Sequence, residues 1–190
     1  MERRLAGILM VDVVGYTTLM GKDESGTLNL IKTLWSEHFE PRVISHNGRI
    51  VKLMGDGALV EFPSIVDALH CAIAVQHDAY ERNDGVAADE RIDLRIGINL
   101  GDVIVEAEDI FGEGVNVASR LEKLAPPGGI ALSATAHEHA KNKIKIQFED
   151  IGERVLKNID KPVHVYLWSG NSDTNQLQLP DKPSIAVLAF

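Results

Sequence analysis

The chain has 190 residues, of which 45% are hydrophobic and 25% charged, and it carries a net charge of −9. That balance describes one soluble domain of ordinary size with a substantial core. It excludes broad electrostatic binding to nucleic acid or to an anionic membrane surface, while leaving room for a nucleotide in a local pocket.

Residues 5–14 read as a buried strand, a continuous apolar run broken only by Asp12. Burying a lone carboxylate is costly, so Asp12 is either a helix cap at the strand's exit or a metal ligand. The acid also interrupts the basic-then-apolar start, and no small-residue cleavage site follows, which argues against a signal peptide. Gly15, Tyr16, Thr17 and Thr18 form a strand-to-helix turn whose free N–H groups suit phosphate oxygens. Residues 27–45 are helical, with Leu28, Ile31, Leu34 and Trp35 on one face.

Residues 49–62 form a hairpin turned at Gly55-Asp56-Gly57, since Asp-Gly between two β-rich runs is a strong hairpin signal. Lys52 and Asp56 lie four residues apart, roughly 13 Å along an extended strand, so they are poorly placed to grip one small group. Ser64 caps a helix over residues 65–80. Cys71 lies in that helix as a core residue; a lone cysteine allows no internal disulfide framework and points to a reducing, cytoplasmic setting.

Residues 83–90 form a polar loop. Residues 92–99 and 103–106 are expected to be a strand pair turned at Leu100-Gly101-Asp102, followed by an irregular link over 109–114. A helix over 115–125 places Asn116, Arg120 and Lys123 along one face, where Asn116 and Arg120 reach a common target. Taken alone, that pattern is as expected for a solvated face. A strand over 130–133, a helix over 135–143 and a closing strand pair, 148–156 with 163–168, complete the domain. His137 and His139 are expected to be surface residues without metal-ligand spacing. No stretch is long and apolar enough to span a bilayer.

This order gives an α+β fold with a mainly antiparallel sheet, its first half a ferredoxin-like βαββαβ unit extended by C-terminal strands. The domain occupies residues 1–170, a polar linker 171–183, and residues 184–190 read as the start of a following domain. In such a sheet the first strand is expected beside the second and third, which lets Asp12 and Asp56 converge. Two carboxylates beside a phosphate-holding turn offer the hard oxygen ligands that Mg²⁺ takes.

Three motifs carry a resemblance. They are Val11-Asp12-Val13-Val14-Gly15-Tyr16-Thr17, then Lys52-Leu53-Met54-Gly55-Asp56-Gly57, then Asp109-Ile110-Phe111-Gly112 running into Val115-Asn116-Val117-Ala118-Ser119-Arg120. In this order and spacing the chain resembles the catalytic domain of class III adenylyl/guanylyl cyclases over residues 3–168. The resemblance implies an adenylate cyclase that forms 3′,5′-cyclic AMP and pyrophosphate from ATP at sites shared by a head-to-tail homodimer. It implies two Mg²⁺ or Mn²⁺ ions per site, held by Asp12, Asp56 and the Val13 carbonyl, with in-line attack of the ribose 3′-OH on the α-phosphate.

The second subunit would supply Lys52 and Asp109 to read the base, Asn116 to orient the ribose and Arg120 to neutralise the α-phosphoryl group. A lysine donor and a carboxylate acceptor complement adenine, whereas guanine presents the reverse pattern. Gly15, Tyr16 and Thr17 would hold the triphosphate, and Lys157 its terminal phosphate. Two positions depart from the relatives' pattern: Asn158 follows Lys157 where glycine is frequent, and Asp102 stands where some relatives carry arginine. The competing readings are a cyclase-like module that dimerises and senses nucleotide without turnover, and an RNA-binding ferredoxin-like sheet. The second lacks the aromatics and basic face it needs, with only 5% aromatic residues.

Overall fold

The computed structural model describes residues 2–170; the predicted linker and the apolar stretch after it lie outside the described residues. The elements run β1 (Glu2–Val13), α1 (Tyr16–Lys22), α2 (Glu24–Thr33), a π-helical segment (Leu34–Phe39) and α3 (Glu40–Ser45). Then follow β2 (Arg49–Leu53), β3 (Gly57–Phe62), α4 (Ile65–Arg82), β4 (Leu94–Glu106), β5 (Asp109–Phe111) and α5 (Glu113–Leu124). The chain closes with β6 (Ile130–Ser133), α6 (Ala134–Ala140), β7 (Glu149–Arg154) and β8 (Val163–Trp168).

One eight-stranded sheet runs β2-β3-β1-β4-β6-β8-β7, with β5 paired to β4. Its first four strands have the ferredoxin-like order, and every pairing is antiparallel except β4 with β6. β1 therefore sits between β3 and β4, and β2 reaches only β3. The expectation that β1 lies beside both β2 and β3 holds for β3 alone.

Alternation along β1 sends its side chains to two cores. Leu9, Val11 and Val13 pack with α4 on one face, while Ala6 and Ile8 meet Val103, Ile110 and Ala118 of α5 on the other. α5 lies so close to β4 that a methyl group at Gly97 would collide with the Ala118 and Glu122 backbone. Gly97→Ala is therefore expected to cost about 3 kcal/mol, read as a lower midpoint in urea unfolding.

The predicted pair of strands turned at residues 100–102 is one strand, β4. Its ladder with β1 continues through Leu100, Gly101 and Asp102, which keeps the Gly-Asp step extended. The reversal comes later, where Ala107 adopts a left-handed φ of 54° and β5 folds back onto β4. No glycine marks that turn, so it carries no hairpin signal. The stretch expected to be an irregular link consequently begins with β5.

Ser64 does accept from the Asp67 N–H, as a cap should. Cys71 is fully buried, and burial pushes its thiol up to about 12, in keeping with a packing role. His137, by contrast, is not a surface residue. Its ring stacks on Tyr166 with centroids 3.8 Å apart, and burial lowers its pKa. Among the described residues no helix is long and apolar enough to cross a membrane.

Candidate active site

The hairpin tip is folded back onto the end of β1. The Met54 N–H donates to the Gly57 carbonyl at 2.7 Å, and Gly55 takes a φ of 72° that glycine tolerates. The Val13 N–H then donates to the Asp56 carbonyl at 2.9 Å, and Gly57 stands opposite Asp12 in the β1–β3 register. A hypothetical Cβ on Gly57 would lie 3.0 Å from the Val11 carbonyl, so the approach depends on a small residue. Trp35 of the π-helical segment pins the tip from the other side, its indole N–H donating to the Gly55 carbonyl at 3.0 Å.

This geometry brings Asp12 and Asp56 together. Partial burial raises the Asp12 pKa first and the Asp56 charge raises it further, against the pull of Lys123 and Arg95. The capping alternative for Asp12 fails, because α1 is entered through Gly15 at φ 68° and no side chain caps it. Two adjacent hard oxygen donors, one of them half-buried, fit a divalent cation. The uncapped first turn of α1 leaves the N–H groups near Gly15, Tyr16 and Thr17 open beside them.

Arg95 was not singled out by its sequence position. It pairs with Asp12 across the β1–β4 ladder, so both side chains leave the same face of the sheet. Its Nε is buried without a partner. Glu122, 5% exposed, completes the neighbourhood from α5, with Lys123 Nζ at 3.6 Å. Burial raises the Glu122 pKa, and the Asp12 charge adds to the effect. The available signal was a single cation within the mostly apolar run Leu94–Ile98.

Lys52 and Asp109 meet as an ion pair of 2.7 Å, joining the exposed edge of β2 to the start of β5. The lysine's hydrogen bond is the main reason the Asp109 carboxyl is held below its usual range. A third group stands on α5. Asn116 is exposed and Arg120 half-exposed one turn later, and Arg120 Nε donates to the Lys157 carbonyl at 3.1 Å. That contact brings the exposed Lys157 and the β7–β8 link to α5, with Asn158 in the left-handed region at φ 62°.

The three groups remain separate. No hydrogen bond or ion pair among the described residues joins the Asp12–Asp56 pair to Lys52–Asp109 or to Asn116 and Arg120. A cavity of about 320 Å³ lies elsewhere, among Gln76, His77, Tyr80, Arg91, Asp93 and Trp168, and is lined by none of these residues. Large apolar side chains beside the separate groups are left in water: Leu53 (51%), Met54 (41%), Phe111 (46%) and Val155 (86%). Each stands within two residues of Lys52, Asp56, Asp109 or Lys157.

Comparison with known proteins identifies the family. Residues 3–170 match the family model for the adenylate and guanylate cyclase catalytic domain. The chain is 47% identical over 198 residues to a Rhizobium meliloti protein named "Putative adenylate cyclase 3", covering all of this chain and 34% of that one. It thus spans about a third of that relative's length. Among solved structures it resembles an adenylate/guanylate cyclase/hydrolase from Silicibacter pomeroyi, at 41% identity and a TM-score of 0.84, covering 88% of this chain and 97% of that one. It also resembles the adenylyl cyclase CyaB from P. aeruginosa, at 26% identity and a TM-score of 0.75, covering 87% and 94%. With residues 3–170 matched by its model and a relative 47% identical over the whole chain, the chain belongs to the adenylate and guanylate cyclase catalytic domain family.

Proposed function

We propose that this chain is an adenylate cyclase, converting ATP to 3′,5′-cyclic AMP and pyrophosphate at sites shared by a head-to-tail homodimer. The observation that carries the reading is the meeting of Asp12 and Asp56, with Asp12 capping no helix, beside Arg95 and an open helix turn. A module that only dimerises has no need of such a pair, which favours turnover over nucleotide sensing.

Asp12, Asp56 and the Val13 carbonyl would hold two Mg²⁺ or Mn²⁺ ions. When bound, these ions supply Lewis acidity to the ribose 3′-OH and charge neutralisation to the departing pyrophosphate. In the same half-site, the open N–H groups of Gly15, Tyr16 and Thr17 and the unpaired Arg95 guanidinium receive phosphate oxygens. The other copy brings the remaining groups. Arg120 neutralises the α-phosphoryl oxygens, Asn116 orients the ribose, and Lys157 reaches the terminal phosphate. Lys52 donates to adenine N1 while Asp109 accepts from the exocyclic amino group.

The separation of the groups within one chain supports the shared site, as do Leu53, Met54, Phe111 and Val155, which a second copy would cover. The free buried thiol of Cys71 suits a cytoplasmic setting. The test is incubation with ATP and Mg²⁺ or Mn²⁺ over a series of protein concentrations, assayed for cyclic AMP and pyrophosphate. Cyclic AMP should form, at a rate per chain that rises with concentration. ATP binding without cyclic AMP at any concentration would establish the sensing module instead.

A further inference from the structure

Next to the Lys52–Asp109 pair lies a second charged assembly that the reaction does not use. Glu61 of β3 is only 6% exposed. It accepts from Arg4 Nε at 2.7 Å and from an Arg4 terminal nitrogen at 2.9 Å, and from Arg49 of β2 at 2.8 Å. Burial alone would raise its pKa, but these bonds outweigh burial and hold the carboxyl below its usual range. The other terminal nitrogen of Arg49 reaches the β4–β5 turn and donates to the carbonyl of Glu108, the residue just before β5, at 2.8 Å.

β2 and β5 share no backbone ladder, since β2 pairs only with β3 and β5 only with β4. Among the described residues, side-chain hydrogen bonds tie β2 to this hairpin at two points: Lys52 to Asp109 in β5, and Arg49 to the Glu108 carbonyl in the turn that enters β5. A base entering between Lys52 and Asp109 must open the first tie. The second is then what keeps the strands at the spacing a purine edge requires. A guanidinium suits the task, because its planar fork serves Glu61 and the carbonyl at once.

We infer that Arg49, anchored by the buried Glu61 and Arg4, is a positioning residue that sets the Lys52–Asp109 gap and thereby the preference for adenine over guanine. The inference rests on the reading of Lys52 and Asp109 as the base-selecting pair. Arg49 acts on the pair from outside it, through the turn carbonyl that enters β5 and through its positive charge near Asp109.

The experiment compares Arg49→Met, Arg4→Met and Asp109→Ala, measuring kcat and KM with ATP and with GTP, and thermal midpoints. Both arginine variants take a partner from Glu61, but only Arg49→Met releases β5. Arg49→Met should raise KM for ATP about tenfold and cut the ATP-over-GTP preference about tenfold, with kcat for ATP within about twofold. Arg4→Met should lower the thermal midpoint comparably and leave the preference within about twofold. Asp109→Ala should abolish the preference.

Equal losses with ATP and GTP in Arg49→Met, or the same selectivity change in Arg4→Met, would mark a structural knot and overturn the inference. If Asp109→Ala loses the preference while Arg49→Met keeps it, the inference falls and the base assignment stands. If Asp109→Ala also keeps it, the base assignment falls and takes the inference with it.

Discussion

Asp56→Ala is expected to lower kcat/KM for ATP by about a thousandfold or more, equivalent to about 4 kcal/mol of transition-state stabilisation. The residue's backbone already has its partner in the Val13 N–H, so the loss should come from the carboxylate rather than from unfolding. Stability should move the other way. In the metal-free protein the Asp56 charge helps raise the Asp12 pKa above its ordinary 3.8, after burial, so the folded chain binds that proton more readily than the unfolded chain. This contribution to stability therefore grows as pH falls from above the raised value toward 3.8, and fades as pH rises. Alanine at position 56 removes one of its two causes. Metal-free Asp56→Ala should melt no lower than the parent at neutral pH and show a shallower stability change through that window. A large fall in melting temperature accompanying the lost activity would assign Asp56 to the scaffold.

Mixing two inactive variants is expected to restore activity. Asp56→Ala disables the half-site that holds the ions, and Arg120→Ala the half-site that neutralises the α-phosphoryl group. If every site draws on both copies, a mixed dimer collects both lesions in one site and leaves the other complete. Equal amounts that exchange freely make about half of the dimers mixed, so about a quarter of the parent activity should return. Variants measured separately should stay near background. Exchange is monitored independently by mass labelling of one variant. Exchange without recovered cyclic AMP production would place all the working groups within one chain.

The local signals in the sequence were those with a short-range physical cause. The Asp-Gly turn, the Ser64 cap and the apolar runs of β1 and β6 all appear where residue type alone requires them. The motif residues were also legible, because their chemistry and spacing are unusual together. What escaped depends on register. The Leu100-Gly101-Asp102 step resembles a turn, yet twelve consecutive pairings with β1 hold it straight. Ala107 makes the true reversal with a left-handed backbone that nothing in its side chain announces.

Arg95 was missed for the same reason. It becomes a neighbour of Asp12 only once β4 lies beside β1, and no spacing within its own strand reveals that. Lys52 and Asp109, 57 positions apart on strands that share no ladder, were joined in the sequence only through the family resemblance, and the structure shows them in contact. His137 lacks metal-ligand spacing with His139 and so reads as a surface residue; Tyr166, far along the chain, supplies the flat surface on which its ring rests.

The indole of Trp35, fastened to the carbonyl of Gly55, gives the molecule an intrinsic optical reporter at its most informative spot. Excited-state indoles respond to nearby charge and to the strength of their N–H bond, so cation uptake next door registers as a change in emission without any attached dye. The second tryptophan, Trp168, belongs to the distant β8 and can be exchanged for phenylalanine to isolate that signal. Occupancy of the paired acids thus becomes measurable by fluorescence in the resting protein, independently of product formation.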